Sequence, residues 1–133
     1  MKIEINTDGL FDLPKCWSWT IANEACESVR DGTHDTPKYI NEGIPLITSK
    51  NLKGHQIDFS TAKFISIEEH KQISIRSGVK IGDILFAMIG TVGNPVIVNN
   101  EQEFSIKNVG LFKKNENVIK SKFLRYWLLS FLL

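Results

Sequence analysis

The sequence predicts an α+β fold: a strand-rich, mixed or antiparallel sheet, a few short helices and an amphipathic C-terminal helix. Three observations predict it. Short apolar runs recur between Gly, Pro and Asn residues, which is typical of strands joined by turns. Ser66-Ile67-Glu68-Glu69 has the spacing of a capping box, which starts a helix. From Val118 onward, large apolar residues recur at helical intervals.

The N-terminal part of the chain mixes polar and aromatic residues. Residues 1–14 are polar and irregular, and we expect them to form a leader. Alternating apolar and polar residues predict a short strand over 17–21 with one buried face. Residues 22–29 have the spacing of a short helix, and the Gly, Pro, Asp and Thr residues of 31–41 predict a loop.

The middle of the chain predicts two strands and a helix. Residues 44–48 form a strand, which Pro45 confines to a sheet edge or to a strand start because proline lacks the N–H. A polar turn follows over 50–55, and a short strand over 63–65. The capping box then begins a helix over 66–75, with the Ser66 hydroxyl and the Glu69 carboxylate each accepting a backbone N–H.

The C-terminal half alternates short apolar runs with turn residues. A tight loop is predicted over 90–94, because two glycines flank it. The remaining elements are strands over 84–88, 95–98, 104–106 and 109–112, and the helix over 118–133.

Length and composition indicate one compact domain. The chain has 133 residues, of which 42% are hydrophobic and 23% are charged, as in ordinary globular proteins. The formal charge is only +1, so bulk charge does not indicate a nucleic-acid binder. Basic and acidic residues number three and six in 1–31, six and five in 32–76, and seven and four in 77–133. This is either random scatter or a basic face built from the middle and end of the chain.

The two cysteines indicate a reduced protein. The spacing of Cys16 and Cys26 matches no zinc pattern, so we predict no metal site and a cytoplasmic location. Residues 1–6 lack the apolar core of a signal peptide, and the apolar residues 127–133 are too few to span a bilayer. No membrane partner is therefore predicted.

Four motifs follow one another at set intervals. They are Asp-Gly-Thr-His-Asp-Thr-Pro at 31–37, Gly-Ile-Pro-Leu-Ile-Thr-Ser-Lys-Asn-Leu at 43–52, Gly-Asp-Ile-Leu-Phe at 82–86 and Ile-Gly-Thr-Val-Gly at 89–93. Each alone marks a turn. Together, and in this order, they resemble the DNA target-recognition domain of a type I restriction-modification specificity subunit, and the resemblance extends from about Leu13 to the end of the chain.

The loops are rich in side chains that suit DNA. Cations bind phosphates, while amide and hydroxyl groups can touch base edges in the major groove. Ordinary loop polarity would give a similar composition, and the resemblance favours DNA recognition. The candidate DNA-binding residues are His34, Thr36, Lys38, Tyr39, Ser49, Lys50, Asn51, Lys53, Thr91, Asn94, Lys107 and Asn108.

The resemblance also implies an assembly. Such a subunit catalyses nothing and carries no cofactor; it directs DNA adenine methyltransferase subunits, which bind S-adenosylmethionine, and a restriction subunit to a half-site in double-stranded DNA. We expect residues 15–117 to form the recognition domain and 118–133 to start a helix that leads into a conserved coiled coil. The coiled coil itself is missing, which suggests a truncated form or a fragment. That helix is also a candidate for homodimer formation.

Two alternatives remain open from the residues. A truncated subunit could act as a protein-interaction module through its apolar C-terminal helix. Alternatively, Asp31, His34 and Asp35, with Asp83 joining them, could form the site of a small metal-dependent hydrolase. The Gly90-Thr91-Val92-Gly93 turn lacks the Gly-Lys-Ser/Thr ending of a phosphate-binding loop. The leading interpretation, a specificity subunit, predicts no catalytic residue.

Overall fold

A computed structural model describes residues 4–90 and 92–130, and it confirms the predicted α+β class. The helices in these ranges are α1 (Ala22–Ala25), α2 (Ile67–Ser77) and α3 (Ser121–Ser130), with a 3-10 turn at Ser49–Asn51. The strands are β1 (Ser28–Asp31), β2 (Ile44–Ile47), β3 (Leu52–Lys53), β4 (Gln56–Ile57), β5 (Lys63–Ile65), β6 (Ile84–Ala87), β7 (Gly93–Ile97), β8 (Ser105–Ile106) and β9 (Val109–Lys113).

The strands form two small sheets and a hairpin. The first sheet has the order β1-β9-β6-β7, with all neighbours antiparallel. The second has the order β5-β2-β8, in which β2 is antiparallel to β5 and parallel to β8. Strands β3 and β4 pair as a separate hairpin. The arrangement is thus mixed, as the sequence predicts.

The first sheet is buried on both faces because its central strands alternate their side chains. Leu85 and Leu111 lie opposite each other and belong to the main core, which also includes Ile47 and Ile106 of the second sheet. The neighbouring position, Ile84, belongs to a smaller cluster with Leu124 of α3. The first sheet is therefore packed between the second sheet and α3.

Helix α3 packs back onto the domain. The Ser121 hydroxyl donates to the Gly82 carbonyl over 2.7 Å, and the Arg125 Nε donates to the Pro95 carbonyl over 3.0 Å. An aromatic cluster of Phe11, Trp17, Trp19, Phe123 and Trp127 joins the N-terminal segment to the helix, with ring centroids 5.0 to 6.1 Å apart. Leu124 of α3 is thus buried against the domain, while Phe123 remains 43% exposed. The part of the predicted helix at 131–133 lies outside the described residues.

Helix α2 begins as predicted, with one difference. The Ser66 hydroxyl accepts the Glu69 N–H over 3.2 Å. The reciprocal bond to the Ser66 N–H is absent from the described hydrogen bonds, because the Glu69 carboxylate accepts the Lys38 N–H over 3.3 Å instead. The cap therefore also attaches the loop that precedes β2.

The strand predicted over 17–21 is wrong. These residues pair with no strand in the described part of the chain, and the Trp17 side chain is 57% exposed. Their alternation instead serves the aromatic contacts with α3. The helix predicted over 22–29 ends at Ala25, because Ser28–Asp31 pair with β9.

Of the two positions predicted from Pro45, a sheet edge or a strand start, the structure shows the strand start. Strand β2 is the central strand of its sheet and not an edge. Proline is tolerated because it is the second residue of the strand, and pairing with β8 begins only at Leu46. Among the described helices, none has the length and apolar character that crossing a bilayer requires.

Candidate nucleic-acid interface

A groove with a volume of about 860 Å³ opens where the chain leaves β2, β6 and β8. Parallel pairing of β2 with β8 brings the ends of these two strands to the same side of the domain. The residues that line the groove are Tyr39, Leu46, Thr48, Ser49, Lys50, Asn51, Leu52, Thr61, Lys63, Ala87, Ile89, Gly90, Asn94, Lys107 and Asn108.

The groove carries positive charge. Lys50, Lys63 and Lys107 line it, and no acidic side chain does so among the described residues. These lysines take part in none of the ion pairs found in residues 4–90 and 92–130. Their ammonium groups are thus available to an anionic ligand, and a concave surface of one sign concentrates its field.

One hydroxyl group joins three loops of the groove. The Ser49 Oγ donates to the Asn108 carbonyl over 3.4 Å, and it accepts the N–H groups of Met88 and Ile89 over 3.3 and 3.4 Å. A single side chain therefore holds the loop after β2, the start of the β6–β7 turn at Met88 and Ile89, and the β8–β9 turn (residues 107–108). Ser49 is used for the architecture of the groove.

The amide side chains of Asn51 and Asn94 also hold the loops. Asn51 is 4% exposed. Its Oδ1 accepts from the Thr48 N–H and hydroxyl over 3.0 and 3.2 Å, and its Nδ2 donates to the Asp58 carbonyl over 3.0 Å. The Asn94 Nδ2 donates to the Leu52 carbonyl over 2.8 Å. Both amides therefore already have partners within the protein.

The motif at 31–37 packs tightly against the β8–β9 turn. A Cβ atom added to Gly32 would lie 2.3 Å from the Ile106 carbonyl oxygen, so only glycine allows this approach. Beyond it, the Thr33 N–H donates to the Ile106 carbonyl over 3.1 Å, and the Asn108 N–H donates to the Thr33 carbonyl over 3.0 Å. Asn108 has φ of 53°, a left-handed conformation that asparagine tolerates.

His34 connects this turn to the rest of the fold. Its Nδ1 lies 2.8 Å from the Asn108 Oδ1, and its Nε2 contacts the Asp31 Oδ2. The other Asp31 oxygen accepts from Arg76 of α2 over 2.6 Å. The Asn108 bond, followed by Asp31, raises the pKa of His34. The His34 bond, assisted by the Arg76 charge, lowers the pKa of Asp31.

Seven of the predicted DNA-binding residues line the groove: Tyr39, Ser49, Lys50, Asn51, Asn94, Lys107 and Asn108. His34 touches the groove through Asn108, and Thr36, Lys38 and Lys53 lie outside its lining. Lys53 is instead paired with Asp58 over 2.9 Å. Thr91 lies outside the described residues.

Sequence reasoning missed Lys63 and Ile89. Lys63 is the exposed first residue of β5. The short apolar run after it predicts the strand, but the sequence does not indicate that this strand places Lys63 at the groove. Ile89, the first residue of the fourth motif, is 58% exposed at the same surface.

Asp31, His34 and Asp83, from the hydrolase alternative, have partners within the fold. Asp31 is paired with Arg76 and His34. Asp83 does not join them: it is 0% exposed and bonds to Lys113 and to the Lys80 and Lys114 N–H groups. In the part of the chain that is described, no three His, Cys, Asp or Glu residues are grouped as a metal site would require.

Comparisons with known proteins concern the fold. No family model matches the chain, and no curated protein matches it. The HsdS subunit from Thermoanaerobacter tengcongensis has a TM-score of 0.64 and 17% identity over 90% of this chain and 29% of that chain. A chain from a structure on complex assembly and conformational transition of the type I R-M system has a TM-score of 0.67 and 17% identity over 91% and 29%. The fold resemblance predicted from the motifs is confirmed, and the chain spans 29% of the length of each structure.

Proposed function

We propose that this chain is a DNA target-recognition domain of a type I restriction-modification specificity subunit. It binds double-stranded DNA at a half-site and directs DNA adenine methyltransferase and restriction subunits to that site. In this proposal the chain performs no catalysis, and S-adenosylmethionine belongs to the methyltransferase. The fold shared with the HsdS subunit supports the class of protein, and the groove supports the ligand.

The lysine-lined groove is the observation that carries the proposal. Lys50, Lys63 and Lys107 come from three separate segments of the chain, and the fold brings them to one concave surface. Phosphates of a duplex are the anions that such a surface suits, because lysines neutralise them and release their counterions. Lysine can also reach guanine in the major groove.

In this proposal several polar groove residues hold the loops, so other groove residues recognise the DNA bases. Ser49 and Asn51 form their hydrogen bonds with other groups of the protein. Tyr39 is 44% exposed and Ile89 is 58% exposed at the lining. A phenol hydroxyl can bond a base edge, and an apolar side chain can contact the thymine methyl group. We therefore expect these two residues to contribute to sequence preference.

Binding to a random-sequence duplex at rising salt tests the proposal. Three phosphate contacts give a log–log slope of about −2.7, at about 0.9 per contact. Raising salt from about 50 mM to about 200 mM then weakens binding roughly 40-fold. Replacing Lys50, Lys63 or Lys107 singly with Ala should reduce the slope to about −1.8. The same rise in salt should then weaken binding of the variant by only roughly 12-fold.

Lys122→Ala is the matched control, because it removes the same charge from an exposed residue. Lys122 lies on α3 next to Ser121, which bonds to Gly82 at the start of β6, whereas the groove lies at the other end of that strand. Its salt slope should equal that of the unchanged protein. Absence of binding at micromolar protein, or equal slopes for all four lysine variants, would contradict a phosphate-binding groove.

A further inference from the structure

We propose that His34 is a positioning residue for the groove: its doubly protonated ring holds the β8–β9 turn in place, so that DNA affinity falls when the ring loses a proton. The inference rests on the proposed function, since it concerns regulation of the same site. It differs from the sequence interpretation, in which His34 contacts DNA itself.

The hydrogen-bond partners of the ring require two protons. The His34 Nδ1 lies 2.8 Å from the Oδ1 of Asn108, and the Nε2 contacts the Oδ2 of Asp31. Both partner atoms are acceptors, and neutral imidazole has only one N–H. The imidazolium form satisfies both bonds, whereas the neutral form must give up one. The His34 side chain is 58% exposed, so it exchanges its proton with solvent freely.

The charges around the ring favour the imidazolium. Asp31 of β1 faces it directly, and Arg76 of α2 reaches the same carboxylate over 2.6 Å. Asp35 lies one residue along the loop, and Lys107 precedes Asn108 in the turn. Asn108 and then Asp31 raise the pKa of His34 above its usual 6.5, against smaller opposing effects of desolvation and of the Arg76 charge. Both bonds need the imidazolium form. The complete pair therefore exists below this raised pKa and is lost as the pH rises through it.

The turn held by the ring carries groove residues. Lys107 and Asn108 both line the groove, and the Asn108 carbonyl accepts from the Ser49 hydroxyl on the opposite loop. His34 thus links Arg76 and Asp31, which lie outside the lining, to the part of the groove that receives the ligand. Losing the Asn108 bond frees one side of that turn, and the Lys107 ammonium group is then less well placed.

Two measurements on the full chain test the coupling. NMR titration of the ring from about pH 5.5 to about pH 8.5 should give a pKa above 6.5 for His34, and the amide signals of Lys107 and Asn108 should follow the same curve. Affinity for a random-sequence duplex at constant salt should fall about two- to tenfold over that titration, the range that one hydrogen bond contributes.

Variants separate positioning from direct contact. His34→Gln should remove most of the pH dependence and leave the salt slope unchanged, whereas loss of a phosphate contact would reduce the slope by about 0.9. Asp31→Asn should move the midpoint to lower pH, because it removes a charge that favours the imidazolium. His55→Gln is the control and should keep the pH profile.

The outcomes are distinct for the two proposals. DNA binding whose pH profile is the same in His34→Gln as in the unchanged protein would overturn the coupling and leave the DNA-binding groove intact. No binding at any pH would overturn both. A His34 ring that is neutral at about pH 6 by NMR would overturn the positioning role without any DNA being present.

Discussion

Replacing Gly32 with Ala tests the packing of the first motif against the β8–β9 turn. The added Cβ would lie 2.3 Å from the Ile106 carbonyl oxygen, 2.5 Å from its carbon and 2.9 Å from the Lys107 nitrogen. All three are backbone atoms, so no side chain can rotate away. The two segments must separate, and the change is therefore a steric one.

The cost follows from the bonds that join these segments. The N–H of Gly32 donates to the Val109 carbonyl over 2.9 Å, and two further backbone bonds connect Thr33 with Ile106 and Asn108 over 3.1 and 3.0 Å. At about 1 kcal/mol each, losing two or three of them lowers the free energy of unfolding by about 2–3 kcal/mol. Urea denaturation should show a lower midpoint with an unchanged slope.

Gly54→Ala is the matched control. Gly54 has φ of +60° and nothing within 4 Å of an added Cβ, so this change costs only the left-handed conformation, about 1 kcal/mol. A Gly32→Ala protein no less stable than the Gly54→Ala protein would refute the reasoning. The folded fraction of Gly32→Ala should also bind duplex DNA more weakly, because the turn carries Lys107.

Two further predictions concern buried side chains. Asn51→Ala should lower the free energy of unfolding by roughly 3 kcal/mol, since it leaves the Thr48 N–H and hydroxyl without their partner. The control Asn99→Ala, at an exposed position, should change the free energy of unfolding little. Equal effects of the two variants in urea denaturation would contradict a structural role of Asn51. Burial, together with the Asp83 charge, raises the pKa of the Cys26 thiol, so iodoacetamide at mildly alkaline pH should label exposed Cys16 and spare Cys26 until the chain is denatured. Equal labelling rates in the native protein, followed by mass spectrometry, would show that Cys26 is accessible.

The elements predicted correctly are those with strong local signals. Strand β5 and the start of α2 combine a short apolar run with a serine cap, and both lie where the sequence places them. Strand β1 was missed because Ser28-Val29-Arg30-Asp31 has one apolar residue, and its pairing with β9 is set by residues roughly 80 positions away. The alternation at 17–21 was misleading, because aromatic packing on a helix produces the same pattern as a half-buried strand.

The sequence predicts which loops line the groove, but it does not predict the role of each side chain within them. The loops after β2 and β8 were recognised from their polar residues and from the motifs, and both line it. Whether Ser49 or Asn51 faces a ligand or the protein depends on distant partners: the Ser49 hydroxyl bonds to Asn108, 59 residues along the chain. Lys63 resembled an ordinary exposed strand residue until β5 was placed beside β2. The contact of these residues with DNA stays a prediction.

The aromatic cluster on α3 determines what the intrinsic tryptophan fluorescence of this protein can measure. Its members include Trp17, Trp19 and Trp127, the three tryptophans of the chain, and none of them lines the groove. Intrinsic fluorescence excited at the indole band should follow the seating of the C-terminal helix on the first sheet and remain nearly constant when a duplex binds. Detachment of that helix and occupancy of the groove can thus be watched as two separate optical signals, the second from a dye on the nucleic acid.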